Sequence, residues 1–242
     1  MEATDPRAPV VVAARRSPVT TAGRALAGFD AAALAAPVLA AVRDDSRSAA
    51  PVGGVDDVLL GNCCGPGGDV ARVAALAAGL GDEVPGVAVD RQCGAGLEAV
   101  RLAAALVRAR DADLVLAGGT ESATHARDGG VRAAFTPPGR PDPDMGAAAD
   151  VLAAKAGVTR HRQDAYAARS HRLTVAAAGD GVFDAELVPV GGCVRDDRPR
   201  PRLGLDVLAR MPAAFAPGGT VTAGNSCGIN DGAAALAVVP EA

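Results

Sequence analysis

One cysteine, Cys93, stands where the sequence predicts a turn between a strand and a helix. A short β-branched run precedes it, and a helical pattern begins at Gly94. Backbone N–H groups at the start of a helix are unpaired and the helix dipole is positive there, so a thiolate is stabilised. Gly94 and Gly96 leave room for a substrate to approach the backbone. We predict a nucleophile at Cys93; the alternative is a buried structural cysteine at a tight turn.

The remaining cysteines carry a weaker signal. The chain has five cysteines, an odd number, and their spacings fit no zinc pattern. Residues 1–9 are acidic and contain proline, which does not resemble a signal peptide. Reduced thiols in a cytoplasmic protein are therefore expected. Besides Cys93 the chain has Cys63, Cys64, Cys193 and Cys227. Most of the five are predicted to be small buried hydrophobes.

Composition excludes several functional classes. The net charge is −4, which provides no general attraction for nucleic acid. No apolar run reaches the ~20 residues that a membrane helix requires. Hydrophobic residues make up 49% of the chain but aromatic residues only 2%. Small aliphatic side chains must therefore build the core, which favours helices packed closely against a sheet.

Strand and helix patterns alternate along most of the chain. Apolar runs predict strands at residues 10–14, 55–60, 87–89, 114–117 and 233–239. Helical patterns cover residues 31–42, 70–78 and 94–110, with Asp69 as the N-cap of the second. Such alternation indicates βαβ units in an α/β fold with a largely parallel sheet. The helix at 94–110 is apolar around most of its circumference, so we expect cover on more than one side.

The pattern of alternating strands and helices is interrupted between residues 120 and 219. Prolines mark an irregular stretch, and helical patterns follow at residues 147–156 and 163–178. This segment is predicted to be a domain inserted between strands of the main sheet. The expected domains are therefore 1–119 with 220–242, and the inserted 120–219.

Several motifs, taken together and in order, resemble the thiolase family. The segment around Cys93 is close to the family pattern N-R-x-C-x-S-G-x-x-A: Asp90-Arg91-Gln92-Cys93-Gly94-Ala95-Gly96-Leu97-Glu98-Ala99. Nearer the N-terminus are counterparts of R-T-P-x-G and G-N-V: Arg16-Ser17-Pro18-Val19 and Gly61-Asn62. A third match, to G-G-x-E-S-M-S, comes shortly after: Gly118-Gly119-Thr120-Glu121-Ser122.

Further matches continue to the end of the sequence. Met145-Gly146 starts a helix like the family's M-G-x-T-A-E helix. Asp164 lies in a counterpart of R-x-x-Q-D-x-y-A-x-x-S. A glycine- and asparagine-rich segment is nearly identical to the family's T-V-T-A-G-N-x-S-G-I-N-D-G: residues 220–232.

The resemblance implies a fold and a chemistry. The fold would be a thiolase-type half: a mixed five-stranded sheet with helices on both faces, plus an inserted helical loop domain that covers coenzyme A. The activity would be acyl transfer in a Claisen condensation or thiolysis, with Cys93 as the acylated nucleophile. The resemblance places Asn225, Cys227 and Gly228 beside the thioester. It places Met145, Arg200 and Phe215 among the residues that contact the substrate.

Other features bear on these assignments. The arginines around Arg200 would suit a phosphate, but a solvated loop explains them equally. Acyl-CoA would be the substrate, with no separate cofactor or metal. Cys227 stands where the family has serine, and a thiol is the poorer hydrogen-bond donor.

The resemblance covers only the family's N-terminal half. The histidine and second cysteine of the C-terminal half have no counterpart in this sequence, and we assign none of His125, His161 and His171 as the base. We therefore expect a partner chain that carries the second half, or a homo-oligomer. The alternatives are a non-catalytic thiolase-like scaffold or binding subunit, and a truncated fragment of a thiolase.

Overall fold

The computed structural model describes residues 7–49, 53–65, 67–126 and 134–241. The chain divides into two compact units. The sheet unit comprises the described residues of Met1–Gly130, Ala185–Asp197 and Ile229–Ala242, and the helical unit those of Val131–Asp184 and Arg198–Gly228. The prediction that residues 1–9 do not form a signal peptide falls partly outside the described residues, which begin at residue 7.

The sheet unit contains all five predicted strands and one short addition. In chain order its elements are β1 (Pro9–Arg16), β2 (Thr20–Thr21), α1 (Ala31–Ala49), β3 (Asp57–Gly61), α2 (Val70–Ala77), β4 (Gly86–Val89), α3 (Ala95–Ala109), β5 (Val115–Ser122) and β6 (Asn230–Pro240). The strand order is β1-β6-β5-β3-β4, and β2 pairs with β6. Strands β3, β4 and β5 are parallel, whereas β6 runs antiparallel to β5 and β1. The mixed sheet of the predicted α/β fold is thereby confirmed. The expectation of a largely parallel sheet is wrong, because among the described residues three of the five strand pairings are antiparallel.

Helices cover both faces of this sheet because side chains alternate along each strand. Val58 and Leu60 of β3 pack into a core cluster with α1 and α2. Leu59, between them, points to the opposite face and packs with Ala99 and Ala103 of α3. Asp69 caps α2 as predicted, since its side chain accepts a hydrogen bond from the backbone N–H of Arg72.

Helix α3 is buried along one narrow edge only. Its buried residues recur every fourth position: Ala95, Ala99, Ala103 and Val107. Leu97, on another side, is 76% exposed. Val100, Leu102 and Leu106 pack partly against the sheet, so Leu97 is the large apolar side chain of α3 that this sheet face leaves exposed. The expected cover on a second side stays a prediction.

The helical unit contains α4 (Met145–Lys155), α5 (Arg160–Gly179) and α6 (Leu205–Ala209). The first two match predicted helices, whereas α6 and β2 are too short to produce a periodic signal. The two compact units also differ from the expected domain boundaries. Residues 120–122 continue β5, Ala185–Asp197 belongs to the sheet unit, and residues 220–228 belong to the helical unit.

Interactions between distant parts of the chain explain why Ala185–Asp197 joins the sheet unit. The Arg16 guanidinium bonds to the carboxylates of Glu186 and Asp196. Arg16 also forms a bridge with Leu187. Across the described residues, no helix is long and apolar enough to cross a membrane.

Candidate active site

Cys93 lies in the turn between β4 and α3, two residues before the helix begins. It is exposed, so the alternative of a buried structural cysteine is wrong. Gln92 before it has a φ of 52°, in the left-handed region. That conformation costs an L-residue about 1–2 kcal/mol, so surrounding contacts must hold it.

The other four cysteines are not fully buried either, so the prediction that most of the five are small buried hydrophobes is wrong. Cys64 and Cys227 are exposed, and Cys63 and Cys193 are partly buried. All four lie in turns or loops between regular elements, where the backbone runs near the surface.

Glycine lets the start of α3 approach the sheet at the end of β3. A Cβ at Gly61 would overlap the backbone of Ala95 and Gly96. Cys93 is consequently held at the carboxyl ends of the parallel strands β3 and β5. In open α/β sheets, ligands bind at this edge.

Cys93 opens into a cleft of about 390 Å³ in the sheet unit. The lining comes from the ends of β3, β5 and β6 and from the turn itself. It includes thiol, amide and carboxylate groups: Asn62, Cys63, Gln92, Cys93, Glu121, Asn230 and Asp231. A thiol in such a cleft can meet a small electrophile.

Two neighbouring thiols are poor nucleophiles. Burial, followed by the carboxylates of Asp90 and Glu121, raises the pKa of Cys63 to about 12. Burial, with Glu121 next, also raises the pKa of Cys64. Since the thiolate is the reactive species, both side chains stay in the unreactive thiol form at neutral pH. These directions favour Cys93 as the nucleophile among the cysteines in this part of the molecule.

Within the helical unit, Met145 and Phe215 belong to one neighbourhood. Gly146 follows Met145 at the start of α4, and a Cβ at Gly146 would overlap the Phe215 ring. Met145 is 49% exposed and Phe215 is 45% exposed. They form an accessible apolar surface that suits a flat or flexible ligand.

Arg200, in the same unit, is exposed and its backbone N–H donates to His171 Nδ1 at 3.1 Å. Burial lowers the pKa of His171, and the positive charges of Arg200 and Arg198 lower it further. A neutral imidazole is therefore available as the acceptor at neutral pH. The Arg200 segment is consequently anchored to α5 through its backbone.

The loop at residues 220–228 is shaped from within by Asn225. The Asn225 side-chain carbonyl accepts from the Thr222 N–H at 2.7 Å. Its amide nitrogen donates to Asp164 Oδ1 at 2.9 Å and to the carbonyl of Thr220 at 3.1 Å. This side chain organises the loop, and its predicted contact with substrate stays a prediction. Cys227 is exposed, and Gly228 lies against the Arg198 guanidinium.

The predicted site residues are thus divided between the two units. Cys93 belongs to the sheet unit, whereas Met145, Arg200, Phe215, Asn225, Cys227 and Gly228 belong to the helical unit. A site shared by these two groups stays a prediction. Among the described residues, no group of three or more His, Cys, Asp or Glu side chains is arranged to hold a metal.

Sequence reasoning missed several residues around both groups. Cys63 and Glu121 line the cleft of Cys93, and His171 holds the Arg200 segment. Glu121 and Asp164 lie in segments that match family motifs, and this match was the available sign that their side chains have structural partners. Nothing in the sequence indicates that Cys63 meets Gln92, because the two are 29 positions apart.

Comparisons with known proteins identify relatives of this chain. The sequence model of the thiolase N-terminal domain matches residues 9–137 and 140–242. YhfS of Bacillus subtilis, provisionally named an acetyl-CoA C-acetyltransferase, is 45% identical over 190 residues, which are 77% of this chain and 52% of YhfS. An acetyl-CoA acetyltransferase of Pseudomonas aeruginosa is 35% identical over 266 residues, covering 96% of this chain and 66% of the relative.

A solved structure extends the likeness to three dimensions. The crystal structure of the Bacillus anthracis acetyl-CoA acetyltransferase matches with a TM-score of 0.87 and 33% identity, covering 96% of this chain and 65% of that one. The chain belongs to the thiolase family and has the fold of its N-terminal half. It spans between half and two thirds of the length of these relatives.

Proposed function

We propose that this chain is the nucleophile-bearing part of an acyl-CoA C-acyltransferase in the cytoplasm. The observation that carries the proposal is the exposed Cys93, which opens into a cleft at the strand ends directly before α3. The relatives named acetyl-CoA acetyltransferases support the reaction class.

In the proposed reaction, the Cys93 thiolate attacks the carbonyl carbon of an acyl-CoA. The tetrahedral intermediate collapses, the bond to the CoA sulfur breaks and CoA leaves as its thiolate. The acyl group then remains on Cys93 as a thioester. Passing it to a carbon nucleophile gives condensation, and the reverse sequence gives thiolysis. Splitting the transfer into two steps lowers the barrier of each.

The helical unit would bind the coenzyme A portion of the substrate. Its accessible apolar surface at Met145 and Phe215 fits pantetheine or the adenine ring, and the Arg200 guanidinium fits a phosphate. Cys227 and Gly228 would lie beside the thioester, in a loop whose shape is set by Asn225. Coenzyme A is a substrate here, and we propose no other cofactor.

We further propose that a separate chain carrying a second thiolase half completes the enzyme. Support comes from the uncovered side of α3. A cleft of about 380 Å³ beside it is lined largely by apolar side chains, among them Leu97, Val100 and Leu236. Exposed apolar surface costs about 25 cal/mol per Å², so a partner is favoured there. This partner would also supply the histidine base that the resemblance implies.

Acylation of the isolated chain tests the role of Cys93. We expect incubation with acetyl-CoA to give a mass increase of one acetyl group that peptide mapping places on Cys93. Cys93→Ser should abolish the adduct, whereas Cys227→Ser should retain it. First reaction at Cys63, Cys64 or Cys227 would show that the nucleophile is assigned wrongly.

Reconstitution tests the partner. Co-expression with a C-terminal thiolase half should give a stoichiometric complex with thiolysis activity, and the chain alone should show little turnover. A Leu97→Asp variant should weaken the complex, while Arg108→Asp, on the exposed polar part of α3, should not. A complex without activity would favour the non-catalytic subunit. Self-association of the chain alone through the α3 face would favour a homo-oligomer.

A further inference from the structure

The residue before Cys93, Gln92, is held through both of its backbone polar groups. On its amide side, the Gln92 N–H donates to Asp90 Oδ1 at 2.8 Å. On its carbonyl side, Gln92 O accepts from the Cys63 thiol at 2.9 Å and from the Ala95 N–H at 2.9 Å. The Ala95 bond is part of the turn itself, whereas the other two come from side chains.

The Cys63 contact is itself anchored. Glu121 Oε2 accepts from the backbone N–H groups of Cys63 and Cys64 at 3.0 and 3.1 Å. Glu121 Oε1 accepts from the Asn62 amide at 3.1 Å. The segment after β3 is therefore fixed to β5, and the Cys63 thiol is presented to the Gln92 carbonyl from a held position.

Holding is needed because Gln92 is a non-glycine residue with positive φ. Its chain would relax towards negative φ if its hydrogen bonds were lost. Such a rotation would turn the following residue, Cys93, away from its place before α3. The thiol would then lose its position at the cleft, directly before α3.

We propose that Asp90 and Cys63 are positioning residues that together clamp the Gln92 backbone, one at its N–H and the other at its carbonyl, and so keep Cys93 ready for attack. The proposal rests on the role of Cys93 proposed above. In this role Asp90 serves as an acceptor and the Cys63 thiol as a donor. Loss of either side-chain contact should lower the reaction rate of the Cys93 thiol without unfolding the chain.

The rate of alkylation by iodoacetamide at neutral pH tests the clamp in the whole chain. Cys63→Ala removes the donor, whereas Cys63→Ser keeps one. Asp90→Ala and Asp90→Asn remove the same charge, but only asparagine keeps an acceptor. We expect each alanine variant to alkylate Cys93 about fivefold more slowly than its polar counterpart, the factor that one left-handed residue is worth. Cys227, in the helical unit, is the internal reference, since its rate should not change.

A second substitution makes the test specific for backbone conformation. Glycine adopts positive φ without penalty. In a Gln92→Gly background, Cys63→Ala should therefore slow Cys93 by less than about twofold. Equal Cys93 alkylation rates in Cys63→Ala and Cys63→Ser would overturn the clamp. So would a Cys63→Ala effect in the Gln92→Gly background as large as in the unaltered chain. If Cys93 of the unaltered chain is not the first thiol to react, the proposed function fails instead.

Discussion

The two compact units are stabilised in different ways. The sheet unit has a continuous apolar core in which Leu34, Leu39 and Leu116 are fully buried. In the helical unit, no residue of α4 and only Asp164 of α5 is fully buried within the described chain. The buried apolar side chains among the described residues of this unit are few: Leu203, Leu208 and Val221.

Polar contacts replace the apolar core in the helical unit. Asp164, with its side chain 3% exposed, accepts from Arg160 Nε at 2.8 Å and from the Asn225 amide at 2.9 Å. Asp150 Oδ1 accepts from the N–H groups of Thr220 and Val221 at 2.6 and 2.9 Å. Buried polar networks specify one geometry but fail when one member is removed. The loop at 220–228 should therefore depend on single carboxylates, whereas the strands and the helix on either side of Cys93 depend on a packed apolar core.

The largest effect that separates the two units should come from truncating a leucine. Leu116→Ala opens a cavity beside α1 and should lower the free energy of unfolding of the sheet unit by about 3–4 kcal/mol. Leu152→Ala, the same change on α4 at a 66% exposed side chain, should cost less than about 0.5 kcal/mol. Hydrogen exchange read by peptide mass spectrometry measures both. Equal costs would show that the helical unit has an apolar core after all.

Removing a buried carboxylate should destabilise the helical unit, unlike removal of an exposed one from the same unit. Asp164→Ala removes the carboxylate that accepts from the Arg160 guanidinium and the Asn225 amide, so the partly buried Arg160 charge loses its counter-ion, and the change should cost the helical unit about 3 kcal/mol. Asp206→Ala breaks another i,i+4 pair, with Arg210, but both partners are exposed and the cost should stay below about 0.5 kcal/mol. Exchange protection of residues 220–225 is the measurement. Unchanged protection in Asp164→Ala would remove the basis for the comparison.

Local sequence signals predicted one kind of feature and failed on another. The five strands of the sheet, the N-cap Asp69 and the turn at Cys93 were predictable because apolar runs and capping residues act over a few positions. The packing of Ala185–Asp197 in the sheet unit could not be predicted, because it depends on Arg16, which is distant in the sequence. The contact of Cys63 with Gln92 is equally non-local. The motif matches identified some of these residues in the sequence, but their contacts became known only from the fold.

Acidification should act on the helical unit through Asp150. The backbone N–H groups of Thr220 and Val221 lower the pKa of Asp150 from its usual value of 3.8. A lowered pKa in the folded state gives stability that is present above the unfolded value and is lost as pH falls through the folded value. Asp150→Asn should therefore reduce the loss of exchange protection at residues 220–221 below pH 3.8. The same acid loss in both proteins would assign it to another group.

The smallest effect concerns the exposed guanidinium of Arg200, whose backbone is anchored to His171 while its side chain remains accessible. If it contacts a phosphate of coenzyme A, Arg200→Ala should weaken binding by about 1 kcal/mol, roughly fivefold in Kd, because the contact is charge-assisted but partly hydrated. The loss should shrink at high salt, since exposed charges are screened. Arg169→Ala, on α5, is the matched control and should leave the Kd unchanged. Calorimetric titration of the whole chain with coenzyme A at two salt concentrations measures both variants. An Arg200→Ala affinity equal to that of the unaltered chain at low salt would show that these arginines form a solvated loop without a phosphate contact.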